Sequence, residues 1–391
     1  MRTAPLAAYA TFAAILSAMT PPAAAAQSAV PARTLIPEFR IDGNREELSG
    51  VMGTQPLSNG DLLVLTNDDP TVRLYSSAGT LKKRFLRTGA GPGEARSVGS
   101  FGMLHDTLWA YDRTLNRLSF FAPDGSLLRS IQSQGAGRWR DSSPDRRFFS
   151  SNVTPIAVLA GNVAIGQLSA SSRATARGDV RASPIVRMRW DGTIEAMLDA
   201  QPQAARTMMV RVGDSKNYTE MYGQQPFDNS PVYHVSADGK RIAIVDMTRA
   251  GTQAIVHVTQ ISPRGDTLLR ATVPFVPVSV TTRLLDSTAQ AEASDWRRPD
   301  LEPKIRDALY APRFIPPVRR IITANDGTMW LRMFVPDGTA RWLVLSPQGR
   351  ATMTLDVPKH VRIMSVERGI WGVELDADDV PSVVRYRIGP G

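Results

Sequence analysis

A chain of 391 residues, 42% hydrophobic and 21% charged, with 29 Gly and 28 Pro, can bury a large core that is often punctuated, and its composition excludes a disordered polymer. It carries a formal charge of +9 and no Cys, which excludes a disulfide framework and thiol catalysis. The basic residues are mostly Arg and are scattered instead of forming a stripe, which speaks against nucleic-acid binding and leaves anionic partners open.

In chain order, the first stretch has one early Arg, an apolar run from Leu6 to Met19 and small residues at Ala24 and Ala26. That is the pattern of a secretory signal peptide, residues 1–26, cut near Ala26; removing it lowers the charge to +8 by taking Arg2 away. The run falls short of the roughly 20 strongly apolar residues that span a bilayer, and no later stretch comes closer, so no transmembrane segment is expected in the mature chain. A periplasmic or secreted protein follows.

After "TLIPEFRI" (Thr34–Ile41) a two-turn unit begins. "SNGDLLVLTNDDPTVRLYSSAGTLKKRF" from Ser58 and "LHDTLWAYDRTLNRLSFFAPDGSLLRSI" from Leu104 each hold a tight turn, two short strands, a second turn and a third strand. The turns are 19 residues apart in both, Gly60 to Gly79 and Asp106 to Gly125. Looser copies open at Leu159, Val235 and Thr323, and a sixth opening turn at Ser365 is followed only by "PSVVRYRI". The strand missing from that last unit is available in Thr34–Ile41. Six four-stranded blades, the last closed by the N-terminal strand, leave no open edge to aggregate. In "RLSFF" Leu118 and Phe120 point one way and Arg117 and Ser119 the other, and runs such as "DLLVL" and "RIAIV" are apolar on both faces, as expected of strands sandwiched between blades. One segment, Arg283 to Ala311, reads as helix broken at Pro299 and Pro303, an insertion between blades four and five. The domain organisation expected is therefore a signal peptide, 1–26, and an all-β six-bladed β-propeller, 27–391.

Between the first two units lies "GAGPGEAR" (Gly89–Arg96). A phosphate loop would need Gly-Lys-Ser/Thr running into a helix; here Gly93 is followed by Glu94 and a loop, so a sharp architectural turn with Glu94 near the channel mouth is the expectation. This glycine motif together with the repeat resembles the six-bladed β-propeller proteins of the NHL-repeat group, in which Gly-x-Gly-Pro-Gly-Glu leads from the outer strand of one blade into the next. The resemblance covers the mature chain as a spacing pattern, with the first two blades matching it closely and the later ones lacking the glycine motif.

Catalytic and metal signatures are sparse. His105, His234 and His360 fall on predicted innermost strands but at different depths: beside the turn, five residues before Gly239, and nine before Gly369. At about 3.3 Å per residue they cannot share one zinc. His257 belongs to an outer strand. Asp-rich "NDDP" at Asn67 and "DADD" at Asp376 read as turn-closing loops, with calcium as an alternative occupant; no other cofactor is expected. "GDS" at Gly213–Ser215 reads as a loop, not a nucleophile block.

Loop length points to a face. The turns between first and second and between third and fourth strands stay tight, while every long excursion is a second-to-third loop or a blade-to-blade connector: Gln132–Pro155, Ser169–Ser183, Gln201–Ser230 and Pro274–Pro317. These crowd one mouth of the channel and carry Arg and aromatic residues suited to recognition: Arg138, Trp139 and Arg140; Tyr218 and Tyr222; Trp296 and Arg297. The expectation is a non-catalytic, monomeric extracytoplasmic binding propeller recognising a protein, glycan or anionic ligand at this face, with Glu94 beside it. The alternative is a metal-dependent lactonase- or lyase-like propeller enzyme whose mouth-facing oxygens include Glu47, Glu94 and Asn152.

Overall fold

The predicted turns space the blades. In the computed structural model, which describes residues 30–66, 71–133, 152–169, 185–199, 206–214, 216–247, 254–335 and 340–390, the hairpins at Gly60, Gly79, Gly125, Gly239, Gly265, Gly327 and Gly349 all place glycine at positive φ. An L side chain at such a corner is strained, so the chain reverses where the glycines stand.

Six blades of four antiparallel strands result, the fifth extended by one short additional strand. Blade 1 runs from its innermost strand Val51–Pro56 through Leu62–Thr66 and Val72–Tyr75 to Leu81–Phe85. The innermost strands of blades 2 to 6 are Val98–Leu104, Asn152–Leu159, Val232–Val235, Val318–Thr323 and Val361–Ser365. Blade 6 continues through Ile370–Leu375 and Pro381–Ile388, and its outer strand is Leu35–Ile41 from the start of the chain, antiparallel to Pro381–Ile388. The same segment also touches blade 5: Ala32 and Arg33 pair in parallel with Thr354 and Leu355 on that blade's outer strand.

Packing follows the ring. Each junction between adjoining blades holds its own apolar cluster: Leu63, Leu65 and Leu74 against Leu108 and Phe121 at the first, and Val64 and Tyr75 against Trp371 and Val383 at the last. The middle strands are accordingly buried on both faces, as in Leu62–Thr66 and Val72–Tyr75, whereas the outer strand Leu81–Phe85 exposes its lysines and arginine. A fully buried Leu or Phe here is worth about 1.5–3 kcal/mol relative to exposure. In the strand Arg117–Phe121 the two faces part as read: Leu118 and Phe120 enter the junction with blade 3, while on the other face Phe121 enters the junction with blade 1 and buried Ser119 Oγ bonds Ser130 Oγ at 3.0 Å. Its second face is buried because a propeller's middle strands have a blade on either side.

Two connectors build a seventh cluster. The segment between blades 3 and 4, expected as a loop excursion, forms a hairpin, Thr207–Gly213 with Tyr218–Gln224, turned by Asp214, whose Oδ1 accepts the N–H groups of Lys216 and Asn217. The insertion between blades 4 and 5 is helical: α1 (Thr282–Asp295), a 3-10 turn (Pro299–Leu301) and α2 (Glu302–Ala308). Thr281 Oγ1 caps α1 by accepting Leu284 N–H, and both prolines sit in first turns, where a missing N–H costs nothing. Met208 and Val210 of the hairpin pack with Leu285, Ala289 and Ile305 of the helices.

Candidate functional site

An innermost strand in a propeller is an edge strand, with backbone groups along one side that no fifth strand satisfies. Side chains and backbone of neighbouring blades meet this need around the axis. Ser100 Oγ of blade 2 donates to the carbonyl of Pro155 in blade 3, and Thr323 N–H of blade 5 donates to His234 Nδ1 of blade 4 at 3.1 Å. Arg320 of blade 5 donates to the Ile363 carbonyl of blade 6 at 3.0 Å, and Arg362 of blade 6 to the Val51 carbonyl of blade 1 at 2.7 Å.

These seams enclose a channel cavity of about 200 Å³, lined by all six innermost strands, among them Thr54, Phe101, Ile156, His234, Arg320 and Ser365, one from each blade. Its chemistry changes along the axis. Arg320 lies three residues before the strand end that leads into a tight turn, and Arg362 the same distance from its own, so both sit toward the connector face. Arg332 is the cross-strand partner of Arg320. Among the described residues no carboxylate pairs with Arg320, Arg332 or Arg362. Burial, then repulsion from Arg362 and Arg332, lowers the Arg320 pKa to about 10. Burial first, and the charge of Arg320 second, push His234 down to about 4, so it is a neutral ring at physiological pH. With Nδ1 accepting from Thr323, the proton of that ring sits on Nε2. Thr54 Oγ1, buried on the opposite side, has no hydrogen-bond partner among the described residues.

Toward the tight-turn face the sign reverses. Glu367 borders both this cavity and a second one of about 530 Å³ that opens on that face. Burial raises the Glu367 pKa; a hydrogen bond from Asn325 N–H at 2.6 Å opposes the rise, and the charges of Asp238 and Asp326 reinforce it.

The residues singled out in sequence are distributed differently. Arg138, Trp139 and Arg140 lie outside the described residues. Trp296 is half-buried under the hairpin, its ring so close to Gly223 that a Cβ there would stand 2.7 Å from it. It fastens α1 to the hairpin. Tyr218 and Tyr222 stand on the opposite face of the same hairpin: exposed Tyr218 lies beneath Arg211, 4.8 Å from its guanidinium carbon, and Tyr222 OH donates to Glu220 at 2.5 Å. Arg297 is exposed at positive φ just beyond the α1 C-terminus, in the position usually taken by glycine, and Arg298 spends its charge on Asp300. Trp296 and the two tyrosines therefore do not converge on one pocket.

Glu94 reaches neither cavity. Its carboxylate folds back into its own loop, accepting Gly91 N–H at 2.8 Å and filling the space where a side chain at Gly89 would be. Arg117 clamps the loop from blade 2 by donating to the carbonyls of Ala90, Gly91 and Glu94. The segment thus links the outer strand of blade 1 to the innermost strand of blade 2 as a self-sealed bend.

The proposed metal oxygens are likewise apart. Glu47 is exposed and offers its backbone carbonyl to buried Arg73. Asp376 closes its turn by accepting from Asp378 N–H, Val380 N–H and Asn44. "NDDP" and the Asn152 side chain lie outside the described residues. Among those described, no group of three or more His, Asp or Glu is placed to hold a metal ion. Of the three axial histidines only His234 is within an innermost strand; His105 sits in a turn at positive φ and His360 just precedes its strand.

The arginine cluster was missed because Arg320, Arg332 and Arg362 are scattered in sequence. The available signal was that only blades 5 and 6 carry Arg on an innermost strand, a position facing a narrow axis.

No family model and no curated protein matches the chain. Solved structures with some likeness include a member of the DUF4221 family from Bacteroides vulgatus (9% identity, covering 91% of this chain and 98% of that chain, TM-score 0.48). A Bacteroides fragilis protein assigned as exported is similar at 11% identity, covering 88% and 91%, TM-score 0.46. The calcium-binding protein regucalcin from Agrobacterium tumefaciens follows at 9% identity, covering 91% and 95%, TM-score 0.40. The likenesses are too weak to bear on activity, and the six-bladed propeller rests on the strand pairing itself. Among the described residues no helix is long and apolar enough to cross a membrane.

Proposed function

We propose that this protein is a non-catalytic, extracytoplasmic binding propeller that recognises an anionic ligand at its connector face. One observation carries this reading: Arg320, Arg332 and Arg362 crowd the connector end of the channel without a carboxylate partner among the described residues, and Arg320 is depressed by burial and by the other two. A ligand carboxylate, sulfate or phosphate entering there relieves that repulsion and gains charge-assisted hydrogen bonds in a partly desolvated setting. The hairpin and helices between blades 3 and 5 belong to connectors on the same face, and exposed Tyr218 and Arg297 extend recognition beyond the channel.

The test is calorimetric titration at low salt with citrate, inorganic phosphate and a sulfated oligosaccharide. Saturable binding of at least one, weakened by added salt and by Arg320→Gln with Arg362→Gln, is the expected result. Absence of binding by all three, or binding indifferent to the double substitution, contradicts the reading.

A further inference from the structure

The tight-turn face carries a second site of different character. Its cavity of about 530 Å³ wedges between blades 1 and 2 where their tight turns diverge, and it falls within the size of ordinary small-molecule pockets. The walls are apolar, with Leu57, Leu63 and Leu74 from blade 1 facing Met103 and Leu108 from blade 2, and Phe85 from blade 1's outer strand at the back. Where the wedge meets the axis the lining changes to Asp238 and Glu367, with Asp106 on the rim.

Two carboxylates set close together at the end of an apolar wall form an unbalanced pair. Asp238 is committed locally: its Oδ1 accepts from Ser236 Oγ and Lys240 N–H, and Lys240 Nζ lies 3.7 Å from Oδ2. Glu367 is not. Its Oε1 accepts one backbone N–H, and no cation of the described residues forms an ion pair with it, although it is half-buried beside Asp238 and Asp326. The other rim cation, Arg368, is exposed: its charge favours the Glu367 carboxylate, as the last and smallest influence on it, without forming an ion pair with it. From this juxtaposition of a lone carboxylate with an apolar wedge, we infer that the cavity is a binding site for a small organic cation, a primary amine on an aromatic or aliphatic body. The ammonium bonds Glu367, and the body lies between Leu57, Met103 and Phe85. Such a ligand removes apolar surface from water and neutralises Glu367 in the same step, which an anion of the same shape cannot do. The wedge opens at the other end of the channel from Arg320, with Glu367 bordering both cavities, and the proposal does not depend on the anion reading.

The experiment is titration of the full chain with 2-phenylethylamine, with 3-phenylpropionate as a shape-matched anion. Expected is saturable binding of the amine and none of the acid at this site. Glu367→Gln, which keeps the side-chain shape and the Asn325 hydrogen bond, weakens the amine about tenfold, the loss of one charge-assisted contact. Met103→Trp, which fills the wedge without touching a carboxylate, weakens it as well. No saturable amine binding to the wild type, or amine binding unmoved by both Glu367→Gln and Met103→Trp, overturns the proposal. So does competition of the acid for the same site. If Glu367→Gln fails to fold, Met103→Trp decides in its place.

Discussion

The two ends of the channel are built from the same element, an innermost strand, yet they bear opposite charge. At the connector end Arg320 and Arg362 cross the blade junctions to neighbouring carbonyls, so structural hydrogen bonding and cationic character come from the same side chains. At the tight-turn end the strands run into turns whose Asp and Glu side chains organise the backbone, and Glu367 accepts a single N–H and has no ion-pair partner among the described residues, with exposed Arg368 acting on it only at longer range. The difference teaches that a propeller's axial edge problem has two solutions. Long basic side chains satisfy carbonyls and leave positive potential; short acidic turn residues satisfy N–H groups and leave negative potential.

The comparison can be broken first through His234, which lies between the ends. Its pKa is depressed in the folded protein, so its stabilising contribution is fully present above the ordinary imidazole value and is lost as pH falls from about 6.5 towards about 4. The loss is on the order of 3 kcal/mol. Thermal melts across that interval should show wild-type stability falling, and His234→Gln should flatten the fall; a parallel fall in the variant would mean that His234 is not the group whose protonation costs the stability.

Next in size is Trp296→Ala. Removing a half-buried indole from the hairpin and α1 should cost about 2 kcal/mol in denaturant unfolding while leaving both ligand affinities unchanged. A lost ligand with unchanged stability would return Trp296 to the recognition surface.

Smallest is the pH response of Glu367. Its folded pKa is raised, so the folded state holds the proton more tightly than the unfolded one, and stability declines as pH rises from the ordinary glutamate value through the raised one. Comparing melting temperatures of wild type and Glu367→Gln over that interval should show the decline only in the wild type.

Much of the ring was legible because turn chemistry is local. Gly60, Gly79 and Gly125 announce their hairpins wherever they stand, and the unpaired "PSVVRYRI" demanded the strand that Leu35–Ile41 supplies. The parallel contact of Ala32 and Arg33 with blade 5 was not legible, since two residues carry no periodicity. The hairpin at 207–224 was read as loop, although Met208, Val210 and Val212 recur at every second position; its partner surface is supplied by helices some eighty residues later in the chain. The candidate site was least legible. Arg320, Arg332 and Arg362 meet only because blades 5 and 6 adjoin, while Trp296, conspicuous in sequence, is used as a fastener. Glu94 was correctly placed in a bend, but its carboxylate is consumed there.

The most direct test of a channel divided by charge is one calorimetric series in which citrate and 2-phenylethylamine are each titrated into the wild type, the Arg320→Gln with Arg362→Gln variant, and Glu367→Gln. The account predicts crosswise losses: the arginine variant loses citrate and keeps the amine, and Glu367→Gln does the reverse. If either variant weakens both ligands equally, or neither weakens its own, the two ends are not separate sites.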